Sequence, residues 1–176
     1  MLSVNNLRKE YKDVVAVDNI SFVVERGKIF GLLGPNGAGK TTTIRAILNI
    51  IRPTSGNINL DGKIVSEQFY NIIGYLPEER GLYKKSKVKD VIKYFAQLKN
   101  LTSSKASIES DVWLKRMSIE NLKEKKIEEL SKGNQQKIQF ICAIIHDPQL
   151  LVLDEPFSGF DPINQQLIKD LLLTLT

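Results

Sequence analysis

The sequence has few of the features that mark a secreted or a membrane-spanning protein. Its 176 residues include a single cysteine, Cys142, so no disulfide can form within the chain. No apolar run approaches the roughly 20 residues that a bilayer-spanning helix needs. The first residues show neither the basic nor the apolar region of a secretory signal. We therefore expect a reducing, cytoplasmic setting, and contact with a membrane only from outside the bilayer.

The composition excludes a disordered or fibrous chain. Hydrophobic residues make up 42% of the chain and charged residues 26%, which fits one globular domain with a real core. The net charge of +5 suits an anionic partner, but it does not choose among nucleotide, nucleic acid and membrane surface. Aromatic and basic residues are not interleaved as in many proteins that bind single-stranded nucleic acid. No nucleic-acid partner is therefore expected.

The first half of the chain predicts strands, a glycine-rich loop and a helix. Two β-branched runs in AVDNISFVVERGKIFGLLG, separated by a polar turn at residues 25–28, predict two strands, the second of which leads into the glycines. After the loop, apolar residues recur at helical spacing, and Pro53 is expected to end the helix. These residues are Ile44, Ile47, Leu48 and Ile51. GNINLDG and NIIGYLP predict further strands.

The second half predicts helices followed by one strand. The pattern is helical from Val88 to about His146, with a Ser/Thr-rich connection over residues 102–107. LLVLDEP, a continuous apolar run closed by acids and a proline, predicts a buried parallel strand. We predict one α/β domain over residues 1–176, with a mainly parallel sheet, an N-terminal antiparallel β flank and an inserted helical subdomain at about residues 80–146.

The glycine-rich loop has the spacing of a phosphate-binding loop. Residues 34–41, GPNGAGKT, match G-x-x-x-x-G-K-[ST] at a predicted strand-to-helix junction, and a tight turn without a ligand is the alternative. Without side chains, successive backbone N–H groups can converge on a phosphate at the positive end of the helix. We predict that Lys40 reaches the β- and γ-phosphates and that the Thr41 hydroxyl ligates Mg²⁺. The predicted nucleotide-binding residues of the loop are Asn36, Gly37, Ala38, Gly39, Lys40, Thr41 and Thr42.

Two acids follow the predicted strand LLVL. Asp154 stands where a P-loop protein needs an acid to hold the metal, and Glu155 follows at once. Adjacent side chains at the end of a strand point in different directions, so Asp154 can face Mg²⁺ while Glu155 approaches the attacking water as general base. An isolated Asp-Glu-Pro is often only a polar strand exit. Together with a P-loop, the pair indicates hydrolysis.

LSKGNQQK, residues 130–137, resembles the L-S-G-G-Q signature of the ATP-binding subunits of ABC transporters, with Lys132 and Asn134 as departures. In that family the signature caps the γ-phosphate of ATP held by the opposite subunit, so the resemblance implies an ATP-dependent head-to-tail homodimer or pseudo-dimer. Ser131 offers a hydroxyl, Gly133 permits close approach, and a helix starting near Asn134 directs its dipole at the phosphate. A plain serine N-cap on an amphipathic helix is the alternative.

The resemblance covers nearly the whole chain. Tyr11 matches the aromatic that stacks on adenine in the family, with Val17 beneath it, and SGFD at residues 158–161 resembles the D-loop. Glu78 stands where the family has a Q-loop glutamine that touches Mg²⁺ and couples to the membrane subunit; a carboxylate can also ligate the metal. GYLPEERGLY and LSKGNQQK together resemble the export branch with ABC-2 type membrane partners, which includes sodium-efflux systems.

The resemblance implies that the chain binds and hydrolyses ATP with Mg²⁺. It also implies that hydrolysis powers export through separate membrane-spanning permease subunits, with the chain at the inner face of the cell membrane. One alternative is a soluble ABC-class ATPase without a transport role. Another is a fragment that binds ATP without efficient turnover, because the chain ends at Thr176, before the position of the family's switch histidine. We therefore expect a C-terminally truncated chain. His146 precedes the strand LLVL and cannot substitute; it is expected to interact with the last carbonyls of its own helix.

Two lysine clusters have no part in the predicted nucleotide site. One lies at residues 84–89 and the other at residues 123–126. A solvated surface is one interpretation of both clusters. The other interpretation is that the first cluster, just after the Q-loop position, faces the membrane partner or anionic lipid.

Overall fold

The computed structural model describes residues 1–78 and 81–175, so Glu79 and Arg80 of the segment GYLPEERGLY lie outside the described residues. The chain divides into two compact units, Met1–Tyr70 with the residues from Leu173 onward, and Asn71–Leu172. Within the described ranges, no helix combines the length and the apolar character needed to cross a membrane.

The first unit contains a four-stranded antiparallel sheet. Its strands are β1 (Leu2–Tyr11), β2 (Val14–Val24), β3 (Ser55–Leu60) and β4 (Lys63–Ile64), in the order β2-β1-β3-β4. The buried side chains Leu2 and Val4 alternate along β1, but Leu7 breaks the alternation and is still buried. The register of β1 against β2 shifts between Val4 and Leu7, where Asn6 adopts a φ of 47°. This bulge returns Leu7 to the buried face. The antiparallel pairing of the four strands confirms the predicted antiparallel flank.

Helix α1 (Lys40–Ile47) follows the glycine loop in the same unit and buries Ile44 and Ile47, as the apolar spacing predicts. The helix ends before Pro53, because Asn49 takes a left-handed conformation with a φ of 55°. The backbone N–H of Ile50 then donates to the carbonyl of Arg45 at 2.9 Å, which closes the helix in a Schellman pattern. The predicted stop at Pro53 is therefore wrong by about one turn, and Ile51, predicted on the helix face, lies outside the helix.

The strand predicted immediately before the glycine loop is not formed in the described part of the chain. Residues 28–34 carry no strand pairing there, and the side chains of Ile29, Phe30 and Leu33 are exposed. Instead, the ring of Phe30 stacks on Phe22 of β2 with the ring centroids 4.8 Å apart. Composition alone predicted a strand, but a strand also needs a hydrogen-bonded neighbour to satisfy its backbone groups.

The second unit contains a parallel strand pair and most of the helices. Ile73 of β5 lies opposite Leu150 of β6, and Leu76 lies opposite Leu153, which confirms the parallel strand predicted at LLVL. The β6 side chains are half-buried, whereas the continuous apolar run predicted full burial. The elements are β5 (Ile73–Leu76), α2 (Val88–Leu98), α3 (Ser103–Arg116), α4 (Lys132–Ile144), β6 (Leu150–Leu153) and α5 (Pro162–Thr174).

The helical pattern predicted from Val88 to His146 is confirmed as three α-helices around one core. Ile92 of α2, Leu114 of α3 and Ile138 of α4 are fully buried in it. The connection predicted over residues 102–107 is wrong, because the Thr102 side chain accepts a hydrogen bond from the backbone N–H of Lys105 and caps α3. The Ser/Thr-rich residues therefore form the first turn of that helix. Short 3-10 turns occupy Glu67–Phe69, Glu120–Leu122 and Ile127–Glu129.

Candidate functional site

The glycine loop lies directly on β2. Gly39 is the N-cap residue that precedes α1, and its φ of 83° is in the left-handed region that favours glycine. A Cβ at Gly39 would lie 2.2 Å from the carbonyl oxygen of Ala16 and 3.1 Å from Cγ2 of Val17. The last loop glycine is therefore required both by backbone conformation and by space.

Lys40 folds back over the loop. Its Nζ donates to the carbonyl oxygen of Gly34 at 2.8 Å and to that of Pro35 at 2.9 Å. The ammonium is thus held by two neutral acceptors beside the N-terminal turn of α1. Because charged acceptors form stronger hydrogen bonds than neutral ones, a phosphate oxygen can compete for this group.

A cavity of about 410 Å³ lies between the loop and β2, within the size range of small-molecule sites. Thr41 and Thr42 are half-buried in the first turn of α1, whereas residues 36–38 of the loop are exposed. Thr43 is buried and lines the cavity. The other lining residues are Val15, Ala16, Val17, Asp18, Ile20, Leu32, Leu33, Gly37, Ala38 and Lys40.

Tyr11 ends β1 in the same unit, with 46% of its surface exposed. The Nζ of Lys9 lies 4.9 Å from the centroid of its ring, a cation–π contact. Tyr11 pairs with Val14 across the sheet, while Val17 pairs with Lys9 and is buried against Gly39. Val17 therefore supports the glycine loop, and Tyr11 presents an accessible aromatic surface.

The predicted acidic residues follow the parallel strands of the second unit. The backbone N–H of Asp154 donates to the carbonyl of Leu76 at 2.9 Å, and Asp154 is 6% exposed. Glu78 follows β5 by two residues, so both segments leave the carboxyl edge of the strand pair. Glu155 is exposed and has a φ of 50°, which is uncommon outside glycine and is typical of functional turns.

The signature residues form the start of α4. The helix begins at Lys132, two residues earlier than predicted, and Ser131 is its N-cap. The Oγ of Ser131 accepts a hydrogen bond from the backbone N–H of Asn134 at 3.3 Å. A Cβ at Gly133 would lie 3.9 Å from the carbonyl oxygen of Gly159, an ordinary contact distance. The first turn of α4 therefore packs beside the D-loop residues of the same unit.

Two glutamines of α4 that the sequence interpretation did not single out fix the neighbouring loops. The Nε2 of Gln135 donates to the carbonyls of Ile127 and Leu130, both at 3.1 Å. One helical turn later, the Nε2 of Gln139 donates to the carbonyl of Pro77 at 3.2 Å. The sequence signal that could have indicated this role is a pair of glutamines four residues apart on an otherwise apolar helix face. Through these bonds α4 orients the segments next to Ser131 and Glu78.

Two charged groups near the start of α4 have shifted pKa values. Lys137 is buried, and its Nζ donates to the carbonyl of Met117 at 3.1 Å. Burial lowers the pKa of Lys137, and the charge of Asp161 partly opposes this shift. Asp161 accepts hydrogen bonds from the backbone N–H of Asn164 at 2.9 Å and from its side-chain amide at 2.6 Å, which lower the pKa of Asp161.

Each of the two units contains an oxygen donor that a metal bound with a phosphate ligand could use. In the described ranges, no three His, Cys, Asp or Glu side chains are grouped as a metal site. Mg²⁺ typically takes one or two protein oxygens and completes its shell with phosphates and water. The half-buried Thr41 hydroxyl and the buried Asp154 carboxylate are oxygen donors of that kind.

His146 does not bind the last carbonyls of its own helix, as the sequence suggested. Its Nε2 contacts the carbonyl oxygen of Ile73 in β5 at 3.2 Å, and Lys99 Nζ donates to the same oxygen at 2.9 Å. Burial, followed by the charge of Lys99, lowers the pKa of His146. The helix end thus lies on the strand, which sequence periodicity does not reveal.

A glycine loop at the positive end of a helix, in an α/β chain that also contains a parallel strand pair, defines the class of P-loop nucleotide-binding proteins. The sequence profile described as ABC transporter matches residues 17–158. The chain therefore belongs to the ABC transporter family, as an ATP-binding domain.

Proteins with similar sequences are named ATP-binding proteins of ABC transporters. An uncharacterized one from Bacillus subtilis, YhaQ, is 50% identical over 175 residues, covering 99% of this chain and 59% of that protein. The lipopolysaccharide export system ATP-binding protein LptB of Haemophilus influenzae is 32% identical over 181 residues, covering 99% of this chain and 75% of that protein. The chain spans between 54% and 63% of the length of the first three curated relatives.

Solved structures of the family have the same fold. One described as the ATP-binding subunit of an ABC transporter superimposes with a TM-score of 0.90 at 28% identity, covering 99% of this chain and 74% of that one. Another, cbiO1 of Clostridium perfringens, described as part of the ABC transporter complex cbiONQ, gives a TM-score of 0.86 at 29% identity, covering 99% and 72%. The predicted P-loop α/β fold is thereby confirmed.

Proposed function

We propose that this chain binds ATP with Mg²⁺ and hydrolyses it to power transport through separate membrane-spanning subunits. The observation that carries the proposal is the Lys40 ammonium over a glycine loop, at the N-terminus of α1. Family membership and the names of the relatives support the same activity.

Binding of the triphosphate uses the loop and the first turn of α1. On binding, Lys40 exchanges the carbonyls of Gly34 and Pro35 for the β- and γ-phosphate oxygens. The backbone N–H groups of residues 36–39 are proposed to face the same phosphates, with that of Ala38 leaving the carbonyl of Pro35 to which it now donates at 3.2 Å. Tyr11 offers its ring for stacking on the base, a contact that tolerates other bases.

Hydrolysis uses the acids at the edge of the strand pair. Asp154 and the Thr41 hydroxyl would hold Mg²⁺, which would neutralise phosphate charge, and Glu78 would be a further oxygen donor for the metal. Glu155 accepts the proton of the attacking water as general base. Its exposed side chain and left-handed backbone support this role, whereas the side chain of the adjacent Asp154 is buried.

Two copies of the chain are proposed to close head to tail around ATP. Ser131 is exposed at the positive end of α4, and Gly133 keeps the first turn free of side-chain bulk. In this arrangement Ser131, Gly133 and Asn134 of one copy contact the γ-phosphate held by the other. The serine that caps its own helix retains a lone pair and a hydroxyl proton for that contact.

The partner is proposed to be a permease, and the direction to be export. The cbiO1 structure is described as part of a transporter complex, and LptB and two Nod factor proteins are named for export systems. We propose that the permease is of the ABC-2 type, which includes the permeases of sodium-efflux systems. We also propose that the chain lies on the inner face of the cell membrane. The helical subdomain at about residues 80–146 is the part proposed to carry the signature.

The proposal is tested by sedimentation of the Glu155→Gln chain with and without Mg-ATP. We expect ATP-dependent dimers, because the substitution removes the general base while it leaves binding intact. Ser131→Arg should abolish dimerisation and retain ATP binding, whereas Lys40→Ala should lose both. ATP binding by the Lys40→Ala chain equal to that of the parent would refute the assignment of the loop.

A further inference from the structure

Asn36 and Gly37 form a chemically reactive pair in the glycine loop. Asn36 is the only asparagine of the chain that precedes a glycine. In an Asn-Gly pair no Cβ on the second residue hinders its backbone nitrogen from attacking the side-chain amide of the first, and asparagine is a thermolabile residue for this reason. Whether such a pair reacts in a folded chain depends on how free the two reacting groups are.

A β-turn over residues 35–38 leaves both reacting groups without hydrogen bonds. The backbone N–H of Ala38 donates to the carbonyl of Pro35 at 3.2 Å, and of the two central residues only Gly37 has a positive φ, 81°, as a type II turn requires. Such a turn does not use the N–H of its third residue, which is Gly37. Within residues 1–78 and 81–175, neither the Gly37 N–H nor the side-chain amide of Asn36 has a hydrogen-bond partner.

The surroundings of the pair also favour the reaction. Asn36 and Gly37 are both exposed, and a Cβ at Gly37 would meet nothing within 4 Å, so the space for ring closure is open. The ammonium of Lys40, which donates to the carbonyl of Pro35 at 2.9 Å, adds a positive charge beside the same turn. A positive charge stabilises the anionic form in which the backbone nitrogen attacks.

The pair Asp61 and Gly62, between β3 and β4, provides a comparison in the same unit. Gly62 also has a positive φ, 77°, and a Cβ there would again meet nothing within 4 Å. Asp61, however, accepts hydrogen bonds from the N-terminal ammonium of Met1 and from Arg26, both at 2.7 Å, and these bonds lower the pKa of its carboxyl group. An ionised carboxylate held by two cations is a poor target for a nucleophile, whereas the Asn36 amide is neutral and unbound.

We propose that Asn36 deamidates spontaneously in the nucleotide-free chain, and that this modification weakens the binding of ATP. The Gly37 nitrogen loses its proton to a solvent base and bonds to Cγ of Asn36, and the side-chain nitrogen leaves as ammonia. Water then opens the resulting succinimide ring at one of its two carbonyls, which yields aspartate or isoaspartate. Both products add a negative charge to the loop, and isoaspartate also lengthens its backbone.

The effect on ATP rests on the proposed function, in which the N–H groups of residues 36–39 face the phosphates. Bound Mg-ATP then occupies the nitrogen of Gly37 that would otherwise attack, so ATP should protect Asn36. In the modified chain a carboxylate faces the same phosphates, and the repulsion between like charges should weaken ATP binding by at least about tenfold. Nucleotide occupancy and modification therefore oppose each other.

Mass spectrometry of the chain after incubation at neutral pH, with and without Mg-ATP, tests the proposal. Without nucleotide, the peptide that contains Asn36 should gain about 1 Da, and fragmentation should locate aspartate and isoaspartate at that position. The gain should be faster in mildly alkaline than in mildly acidic buffer, and slower with Mg-ATP. Asn57, whose Oδ1 accepts from Asn5 at 3.0 Å and from Asn59 at 2.9 Å, should stay unmodified, and Asp61 should not isomerise.

Two glycine variants separate the local chemistry from a change in stability. Gly37→Ala should slow the modification of Asn36 by at least about tenfold, because a Cβ hinders the attacking nitrogen. Gly62→Ala replaces a glycine of similar φ with equally open surroundings, and should leave the rate at Asn36 unchanged. Thermal unfolding of both variants verifies that the fold is kept. Equal slowing in the two variants, or an Asn36 peptide that keeps its mass, would overturn the proposal.

Nucleotide titration of the freshly prepared parent and of Asn36→Asp tests the effect on ATP. The substitution supplies the added charge without the longer backbone, and should weaken ATP binding by at least about tenfold. Equal affinities of the two chains would overturn the predicted effect of the modification. A fresh parent that binds no ATP would instead refute the proposed function and with it the effect on ATP, while the mass spectra would still decide whether Asn36 deamidates.

Discussion

The Cβ position of Gly39 lies 2.2 Å from the carbonyl oxygen of Ala16. A backbone oxygen cannot rotate away as a side chain can, so Gly39→Ala has to displace the loop from β2. The left-handed φ of Gly39 adds about 1 kcal/mol for any residue with a Cβ. We expect the unfolding free energy to fall by about 2 kcal/mol or more and ATP affinity to fall with it. Denaturant unfolding and a nucleotide titration measure the two effects.

Gly37 provides the matched control two residues earlier. Its φ of 81° is nearly the same as that of Gly39, but a Cβ there meets nothing within 4 Å. Gly37→Ala should therefore cost only the conformational penalty of about 1 kcal/mol. Similar losses of stability in the two variants would mean that contact with Ala16 does not constrain the loop.

Gln135→Ala should loosen the loop that precedes the signature serine. The variant leaves the carbonyls of Ile127 and Leu130 without their shared donor, which should lower the unfolding free energy by about 1–2 kcal/mol. Gln166→Ala, which removes an exposed bond to Asp170 on α5, should change it by less than about 0.5 kcal/mol. Denaturant unfolding of both variants measures the difference, and a neutral Gln135→Ala would contradict the positioning role.

Helix α3 carries two hydroxyl groups whose removal should have opposite effects. The Oγ of Ser110 is buried and has no hydrogen-bond partner among the described residues, so Ser110→Ala should raise the unfolding free energy by about 1 kcal/mol. The Thr102 hydroxyl caps the same helix, so Thr102→Ala should lower it by about 1 kcal/mol. Thermal unfolding at neutral pH compares the pair. Destabilisation by Ser110→Ala would indicate that packing of the serine outweighs its unsatisfied hydroxyl.

The sequence predicted those elements whose signals are local. The G-x-x-x-x-G-K-[ST] spacing located the loop, since the turn and helix start depend on neighbouring residues. The continuous apolar run LLVL likewise predicted a parallel strand, which pairs with β5. Thr102 was misassigned to a connection, although a Ser/Thr N-cap is itself a local signal.

Features that depend on distant partners could not be predicted. Residues 28–34 have strand composition but no strand pairing in the described ranges, and composition does not specify a neighbour. Nothing in the spacing of the two lysine clusters indicates the bridge between Lys87 and Lys126. The same is true of His146, whose partner Ile73 is 73 residues away. Such contacts are set by how elements pack, which periodicity does not encode.

His146 should make the unfolding free energy depend on pH below its ordinary pKa of 6.5. The carbonyl of Ile73 can only accept, so Nε2 carries the proton of the neutral ring, and Nδ1 is buried without a partner in the described part of the chain. Protonation of Nδ1 would place an unpaired donor and a positive charge near Lys99. Burial and that charge therefore lower the pKa of His146 in the folded chain.

Because the unfolded chain binds this proton at a higher pH than the folded chain, the unfolding free energy should fall as the pH drops from about 6.5 through the folded pKa. His146 is the only histidine, so an NMR titration of its ring reports the folded pKa directly. Denaturant unfolding between about pH 7 and pH 5 should show the slope in the parent, and a flatter profile in His146→Gln, whose amide can still donate to Ile73. The carboxyl groups with lowered pKa values protonate at lower pH and do not obscure this window. A ring pKa at or above 6.5, or an unchanged slope in the glutamine variant, would show that the histidine is not held in its neutral form by this contact.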